Sequence, residues 1–109
     1  MENQRLQTLL EFLKEDPFDA FNLYAVALEY SKFDIDTALE YFSMLLQTNP
    51  DYLGTYYQVG SLLRKQGKEE EAEKIYRTGI EKAIFAGDTH TKAELGNALS
   101  NMLLGLDED

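Results

Sequence analysis

The sequence contains no cysteine, only two prolines and a single histidine among its 109 residues. Without cysteine the chain can form no disulfide, no thiolate metal site and no cysteine nucleophile. Strand-like runs of valine, isoleucine and threonine are absent as well. Alanine, leucine, glutamate, lysine and glutamine are abundant instead, and this composition favours helices. We therefore expect an all-α fold.

Positive charge is also scarce, because 10 lysines and arginines stand against 20 aspartates and glutamates, a net charge of −10. Such a chain lacks the basic surface that binds phosphate backbones, so we expect no nucleic-acid partner. We expect no anionic membrane surface as a partner for the same reason. The charge serves solubility or, as the alternative, a preference for a basic partner protein.

The sequence has no apolar run of signal-peptide or membrane-spanning length, and its first residues, Met1 to Arg5, are polar. We therefore expect a cytoplasmic location. A chain of this length suits a single domain, and no stretch reads as a linker between two domains.

Apolar residues recur at helical spacing along the chain. Leu6, Leu9, Leu10 and Leu13 fall at i, i+3, i+4 and i+7, which is one face of a helix. Five further segments show comparable spacing. The pattern predicts about six antiparallel helices, because the connections between them are too short for another arrangement.

Helix stop and start signals separate these segments. We expect Asp16 to cap the second helix with Pro17 in its first turn, and Asp34 to cap the third. Gly67 is expected at the end of the fourth helix, since glycine accepts the left-handed conformation common there. The remaining signals are Asn49-Pro50 and Gly87-Asp88.

A period of 33 residues separates Pro17 from Pro50, and each proline precedes a helix, a turn and a second helix. The slots of the second unit are Tyr56, Val59, Gly60, Leu63, Gly67, Ala72, Tyr76 and Gly79. Those of the first unit are Leu23, Val26, Ala27, Tyr30, Ala38, Phe42, Leu45 and Pro50. This order of aromatic, apolar and small residues resembles the tetratricopeptide repeat. Leu45 departs from it, as does Phe33, which stands where a glycine is usual in the turn.

Small residues are expected where the two helices of each hairpin cross. Ala27 and Ala38 supply the room in the first unit, and Gly60 and Ala72 supply it in the second. Gly60 costs about 1 kcal/mol relative to alanine inside a helix, so it needs a packing reason. Large rings are expected between neighbouring helices, at Tyr30, Phe42, Tyr56 and Tyr76.

The resemblance implies a helical-hairpin solenoid in which the first helix of each repeat lines a concave groove. On this basis residues 1–109 form one domain. It comprises a degenerate N-terminal helix at 3–16, repeats at 18–50 and 51–86, and a capping helix at 88–105. Repeats of this kind bury faces that no single unit covers alone.

The resemblance also implies which side chains face the groove. In the first repeat they are Phe21, Tyr24, Leu28, Ser31 and Lys32. In the second they are Tyr57, Ser61, Arg64 and Lys65, and on the last helix they are Asn97 and Asn101, with His90 as a further candidate.

Two pairs among these residues have alternative explanations. Tyr24 and Tyr57 occupy the same slot and offer rigid contact area with a polar tip, or else they cover core surface between helices. Arg64 and Lys65 could bind a ligand carboxylate, or they complement the macrodipole at a helix C-terminus. A Lys/Asn carboxylate clamp, known in some members of the family, is not expected because Tyr and Leu or Ser occupy its slots.

These features favour a non-catalytic adaptor that binds a peptide or partner protein, with no cofactor and no metal. The single histidine, His90, has no acidic pair at metal-like spacing, and the sequence offers neither a phosphate loop nor a catalytic triad. The alternative is a structural subunit that self-associates or joins a larger complex.

Overall fold

Residues 3–106 are described by the computed structural model of this chain, and they form six α-helices with no strand among them. This confirms the predicted all-α fold of helical hairpins. The helices are α1 (Gln4–Glu15), α2 (Ala20–Tyr30), α3 (Ile35–Thr48), α4 (Gly54–Lys65), α5 (Glu69–Ala86) and α6 (Thr89–Leu103). Within the described residues, no helix is both long and apolar enough to cross a membrane.

The chain divides into two compact units, Met1–Tyr52 with α1 to α3 and Leu53–Asp109 with α4 to α6. In the first unit α2 packs against both α1 and α3. In the second unit α5 packs against α4 and α6, and α4 also contacts α6.

In the first unit, side-chain caps start the helices. The Asn3 side chain accepts the backbone N–H of Leu6 at the start of α1. Asp34 accepts the backbone N–H and the hydroxyl of Thr37 at the start of α3, which confirms Asp34 as the predicted cap.

The start of α2 differs from the prediction. Its cap is Asp19, whose carboxylate accepts the backbone N–H of Asn22 at 2.9 Å. Asp16 follows the last residue of α1, and Pro17 lies in the turn before α2. The prediction was wrong because Asp16 and Asp19 both have the chemistry of a cap, and the shift of the helix start by three residues cannot be read from local sequence.

The core of the first unit joins α1 to α2 through Leu6, Leu9, Ala25 and Val26. Between α2 and α3, Ala27 and Ala38 are fully buried, as expected for the crossing of a hairpin. The ring of Phe42 is fully buried beside them, and Leu45, which departs from the repeat pattern, is fully buried as well. The core of this unit therefore accommodates a leucine at the position where the repeat pattern has a small residue.

Glycines end all three helices of the second unit. Gly67, Gly87 and Gly105 each have a φ between 73° and 77°. After α4, the N–H of Lys68 bonds to the carbonyl of Leu63, and the N–H of Gly67 bonds to that of Arg64. This is a Schellman motif, and it confirms the predicted role of Gly67. In the first unit no described residue has a positive φ.

Two further glycines bring the helices of the second unit close together. A Cβ built on Gly60 in α4 would lie 2.5 Å from Cζ of Tyr76 in α5. A Cβ on Gly79 in α5 would lie 2.6 Å from Cβ of Tyr56 in α4 and 2.8 Å from Cδ1 of Leu95 in α6. All three distances are too short for contacts between real carbon atoms, so the packing of these helices requires glycine at the two positions.

Candidate functional site

One face of α2 lines a groove of about 470 Å³ in the first unit. The residues that the repeat pattern assigned to the groove in this unit all lie here: Phe21, Tyr24, Leu28, Ser31 and Lys32. They are brought together because positions three and four apart share a face of a helix. Three residues that the pattern did not assign complete the lining: Arg5, Ala25 and Glu29.

Two aromatic rings line the apolar side of the groove: Tyr24 is packed against other rings, and Phe21 is accessible. Phe21 is 65% exposed, whereas Tyr24 is half-buried. The Tyr24 ring centroid lies 6.0 Å from that of Phe42 in α3 and 5.2 Å from that of Tyr52. Tyr24 thus covers the core, as its alternative explanation held, while it also lines the groove. Burial, followed by the charges of Tyr24 and Asp19, raises the pKa of Tyr52.

The polar side of the groove is organised around the carboxylate of Glu29. This side chain is only 8% exposed. Lys32 Nζ donates to it at 3.1 Å and 3.2 Å, Arg5 Nε at 3.2 Å, and Asn3 Nδ2 at 3.4 Å. The bond from Lys32 contributes most to lowering the pKa of Glu29, and the burial of the carboxyl opposes this effect. The carboxylate is therefore ionised at neutral pH and is shared by two cations.

Arg5 and Glu29 were not predicted as groove residues from the sequence. Glu29 stands three residues before Lys32, a spacing that allows an ion pair on a helix, so one half of the cluster could have been found. Arg5 could not, because it lies on α1 and meets Glu29 only through the packing of α1 against α2. The Ser31 hydroxyl donates its proton to the carbonyl of Leu28 at 2.6 Å, so toward a ligand it can act only as an acceptor.

The predicted site residues of the second unit lie on α4 and α6. Tyr57 and Ser61 are half-buried on one face of α4, Lys65 is exposed at its end, and Asn97 is exposed on α6. The other two predicted residues, Arg64 and Asn101, both form hydrogen bonds with Leu106, the last residue that the structure describes. Arg64 Nη2 donates to the carbonyl of Leu106 at 2.8 Å, and the N–H of Leu106 donates to the carbonyl of Asn101 at 2.7 Å. This favours a structural role for Arg64.

Across residues 3–106 no three histidine, aspartate or glutamate side chains converge in a way that could hold a metal ion. The side chain of His90 is exposed, and its Nε2 lies 3.8 Å from a carboxylate oxygen of Glu94, one helical turn further along α6. His90 is not among the described residues that line the groove of the first unit.

Known proteins similar to this chain include one solved structure and one protein of known sequence. The solution NMR structure of a tetratricopeptide repeat domain protein from Salinibacter ruber is 38% identical, with a TM-score of 0.76. That similarity covers 86% of this chain and 95% of the other. An uncharacterized protein from Methanocaldococcus jannaschii is 34% identical over 62 residues, which is 57% of this chain and 70% of its own length. No family profile matches the sequence.

Proposed function

Since this chain belongs to the tetratricopeptide-repeat family, we propose that it is a non-catalytic interaction module that binds a peptide or partner protein. Repeats of this type present surfaces on which partners dock. The groove along α2 is the proposed binding site, and binding there needs neither a cofactor nor a metal. We place this activity in the cytoplasm.

The observation that carries the proposal is the exposed aromatic ring of Phe21 beside the half-buried Tyr24 and Leu28. An exposed phenylalanine on a structured helix offers apolar area to a ligand at little cost in side-chain entropy. The residues of the second unit that we propose as additional contacts are Tyr57, Ser61, Arg64, Lys65, Asn97 and Asn101.

Capture of partners from a lysate of the source cells tests the proposal. The full chain is compared with Phe21→Ser, which removes an exposed ring and should leave folding intact. Phe85→Ser is the matched control, because Phe85 is also an exposed phenylalanine on a helix but lies in the second unit. We expect Phe21→Ser to lose the captured partner and Phe85→Ser to retain it. Equal recovery by all three chains would reject binding in the groove.

A structural role through self-association is the second candidate. It is supported by large apolar side chains that the second unit leaves exposed: Ile84, Phe85, Leu103, Leu104 and Leu106. Apolar surface of this kind is commonly covered by another chain. Size-exclusion chromatography with light scattering decides between a monomer and an oligomer, and Phe85→Ser should dissociate an oligomer that forms here.

A basic partner, the alternative drawn from net charge, has a different place to bind. The first turn of α5 presents Glu69, Glu70 and Glu71, and all three are exposed. Because exposed charges attract mainly at low ionic strength, binding at this surface would be lost as salt is added.

A further inference from the structure

We propose that the groove of the first unit selects an acidic peptide that carries an apolar side chain next to a carboxylate. The apolar side chain would lie against Phe21 and Leu28, and the carboxylate would be bound by Arg5 and Lys32. This inference rests on the proposed function, because it specifies the partner of the same groove.

Glu29 is the one acidic residue among the described residues that line the groove, and its carboxylate is already hydrogen-bonded. Glu29 accepts bonds from Lys32, Arg5 and Asn3. A basic side chain that entered the groove would have to displace two cations to reach this carboxylate. A lysine or arginine of a partner therefore gains little here, although the whole chain carries a net charge of −10.

The two cations of this cluster, Arg5 and Lys32, can still bind a ligand. Arg5 bonds to Glu29 through Nε, and its side chain is 69% exposed. The Nη1 and Nη2 groups of its guanidinium are therefore available to a ligand. The side chain of Lys32 is 64% exposed. Two cations against one carboxylate give this cluster a net positive charge on an acidic protein. Arginine in such a position can bind a carboxylate through two parallel hydrogen bonds.

The groove presents its cations and its apolar side chains to the same ligand. Glu29 holds Arg5 and Lys32 at the polar side of the groove, while Phe21, Ala25 and Leu28 line its apolar side along the same helix. A ligand with both an apolar and an acidic group can satisfy both sides at once. A purely apolar ligand leaves the two cations unused, and a purely acidic one leaves the phenylalanine exposed.

Selection from a random peptide library displayed on phage, with the full chain as bait, tests this chemistry with no particular partner assumed. We expect enriched peptides to combine aspartate or glutamate with an adjacent leucine, phenylalanine or similar side chain. Enrichment of basic or uncharged peptides that compete for the groove would overturn this inference and leave the proposed function standing. Failure to enrich any peptide that Phe21→Ser weakens would count against both.

Fluorescence anisotropy with an enriched peptide then identifies the contacts. Arg5→Gln and Lys32→Gln should each weaken binding about fivefold, the effect of losing one exposed ionic contact. Arg77→Gln is the matched control, because Arg77 forms a comparable ion pair with Glu73 on α5 and is 58% exposed. Unchanged affinity in both groove variants would overturn the proposal.

Changes on the peptide keep the test independent of variant folding. Replacing its acidic residues by glutamine should weaken binding to the unmodified protein, and added salt should reduce the affinity of the acidic peptide more than that of the glutamine form. Peptides with a free or an amidated C-terminus show whether the bound carboxylate is a side chain or the chain end. If neither the glutamine form nor the amide binds more weakly, no carboxylate is recognised and the proposal fails.

Discussion

At the scale of single residues, the missing side chain of Gly60 determines how closely α4 approaches α5. The ring of Tyr76 fills the space where a Cβ would stand, and this ring is fully buried. Because the interior around a buried ring is closely packed, the ring has little room to move away.

We expect Gly60→Ala to lower the free energy of unfolding by roughly 2 kcal/mol, since overpacking outweighs the gain in helix propensity of about 1 kcal/mol. Gly96→Ala is the control, because Gly96 lies within α6 and a Cβ there meets nothing within 4 Å. That change should stabilise the protein by about 0.5–1 kcal/mol. Urea denaturation measures both, and a Gly60→Ala protein as stable as the parent would contradict the close approach of the two helices.

Replacement of Thr55 should raise the stability of the protein, whereas Gly60→Ala should lower it. Thr55 is fully buried in the first turn of α4, and its hydroxyl has no hydrogen-bond partner among residues 3–106. Thr55→Val replaces this hydroxyl by a methyl group of similar size, so we expect stability to rise by about 1 kcal/mol. Thermal unfolding of this variant is compared with that of Thr78→Val, which changes an exposed residue of α5. A lower melting temperature for Thr55→Val would show that the hydroxyl is bonded.

At the scale of helices, α3 and α6 begin with the same cap. Asp34 binds the backbone N–H and the hydroxyl of Thr37, and Asp88 binds those of Thr91. The hydroxyl bond of Thr37 contributes most to lowering the pKa of Asp34, and the backbone bond of Thr91 contributes most to lowering that of Asp88. Each carboxylate therefore stabilises the folded state more when it is ionised than when it is protonated.

Stability should therefore fall on acidification. Because both pKa values are lower in the folded than in the unfolded chain, the contribution of the caps is complete above the unfolded value of about 4 and is lost as the pH falls through the folded values. The double variant Asp34→Asn/Asp88→Asn keeps a cap oxygen that does not titrate, so its stability should decline less between neutral and acidic pH. Urea midpoints at several pH values measure this, and parallel pH curves for the two proteins would refute it.

The helices themselves were largely predictable from sequence, whereas one boundary was not. Gly67 and Asp34 act locally, so their residue types were enough to locate the end of α4 and the start of α3. The start of α2 was misassigned to Asp16, because the choice between two nearby aspartates depends on how α1 and α2 pack. Arg5 was not predicted for the same reason, because its contact with Glu29 joins two helices, whereas the spacing of Glu29 and Lys32 on one helix could have indicated that pair.

At the scale of the whole molecule, ten unbalanced negative charges repel one another in the folded state. Ion pairs such as Glu73–Arg77 are exposed and offset little of this repulsion. We expect the melting temperature to rise when salt is increased from about 0.01 M to about 0.15 M, because the Debye length falls from about 30 Å to about 8 Å. Glu70→Gln/Glu71→Gln should show a smaller rise. A melting temperature that decreases with salt would mean that the ion pairs outweigh the repulsion.

The glycines that end the three helices of the second unit determine which enantiomer of another amino acid could replace them. Gly67, Gly87 and Gly105 adopt backbone angles that suit the mirror image of a natural amino acid, and all three are exposed. L-alanine there would be strained, whereas D-alanine would fit the angle and reduce the freedom of the unfolded chain. In a synthetic version of this protein, the choice between two enantiomers at one such position would therefore reverse the sign of the effect on stability without altering its composition.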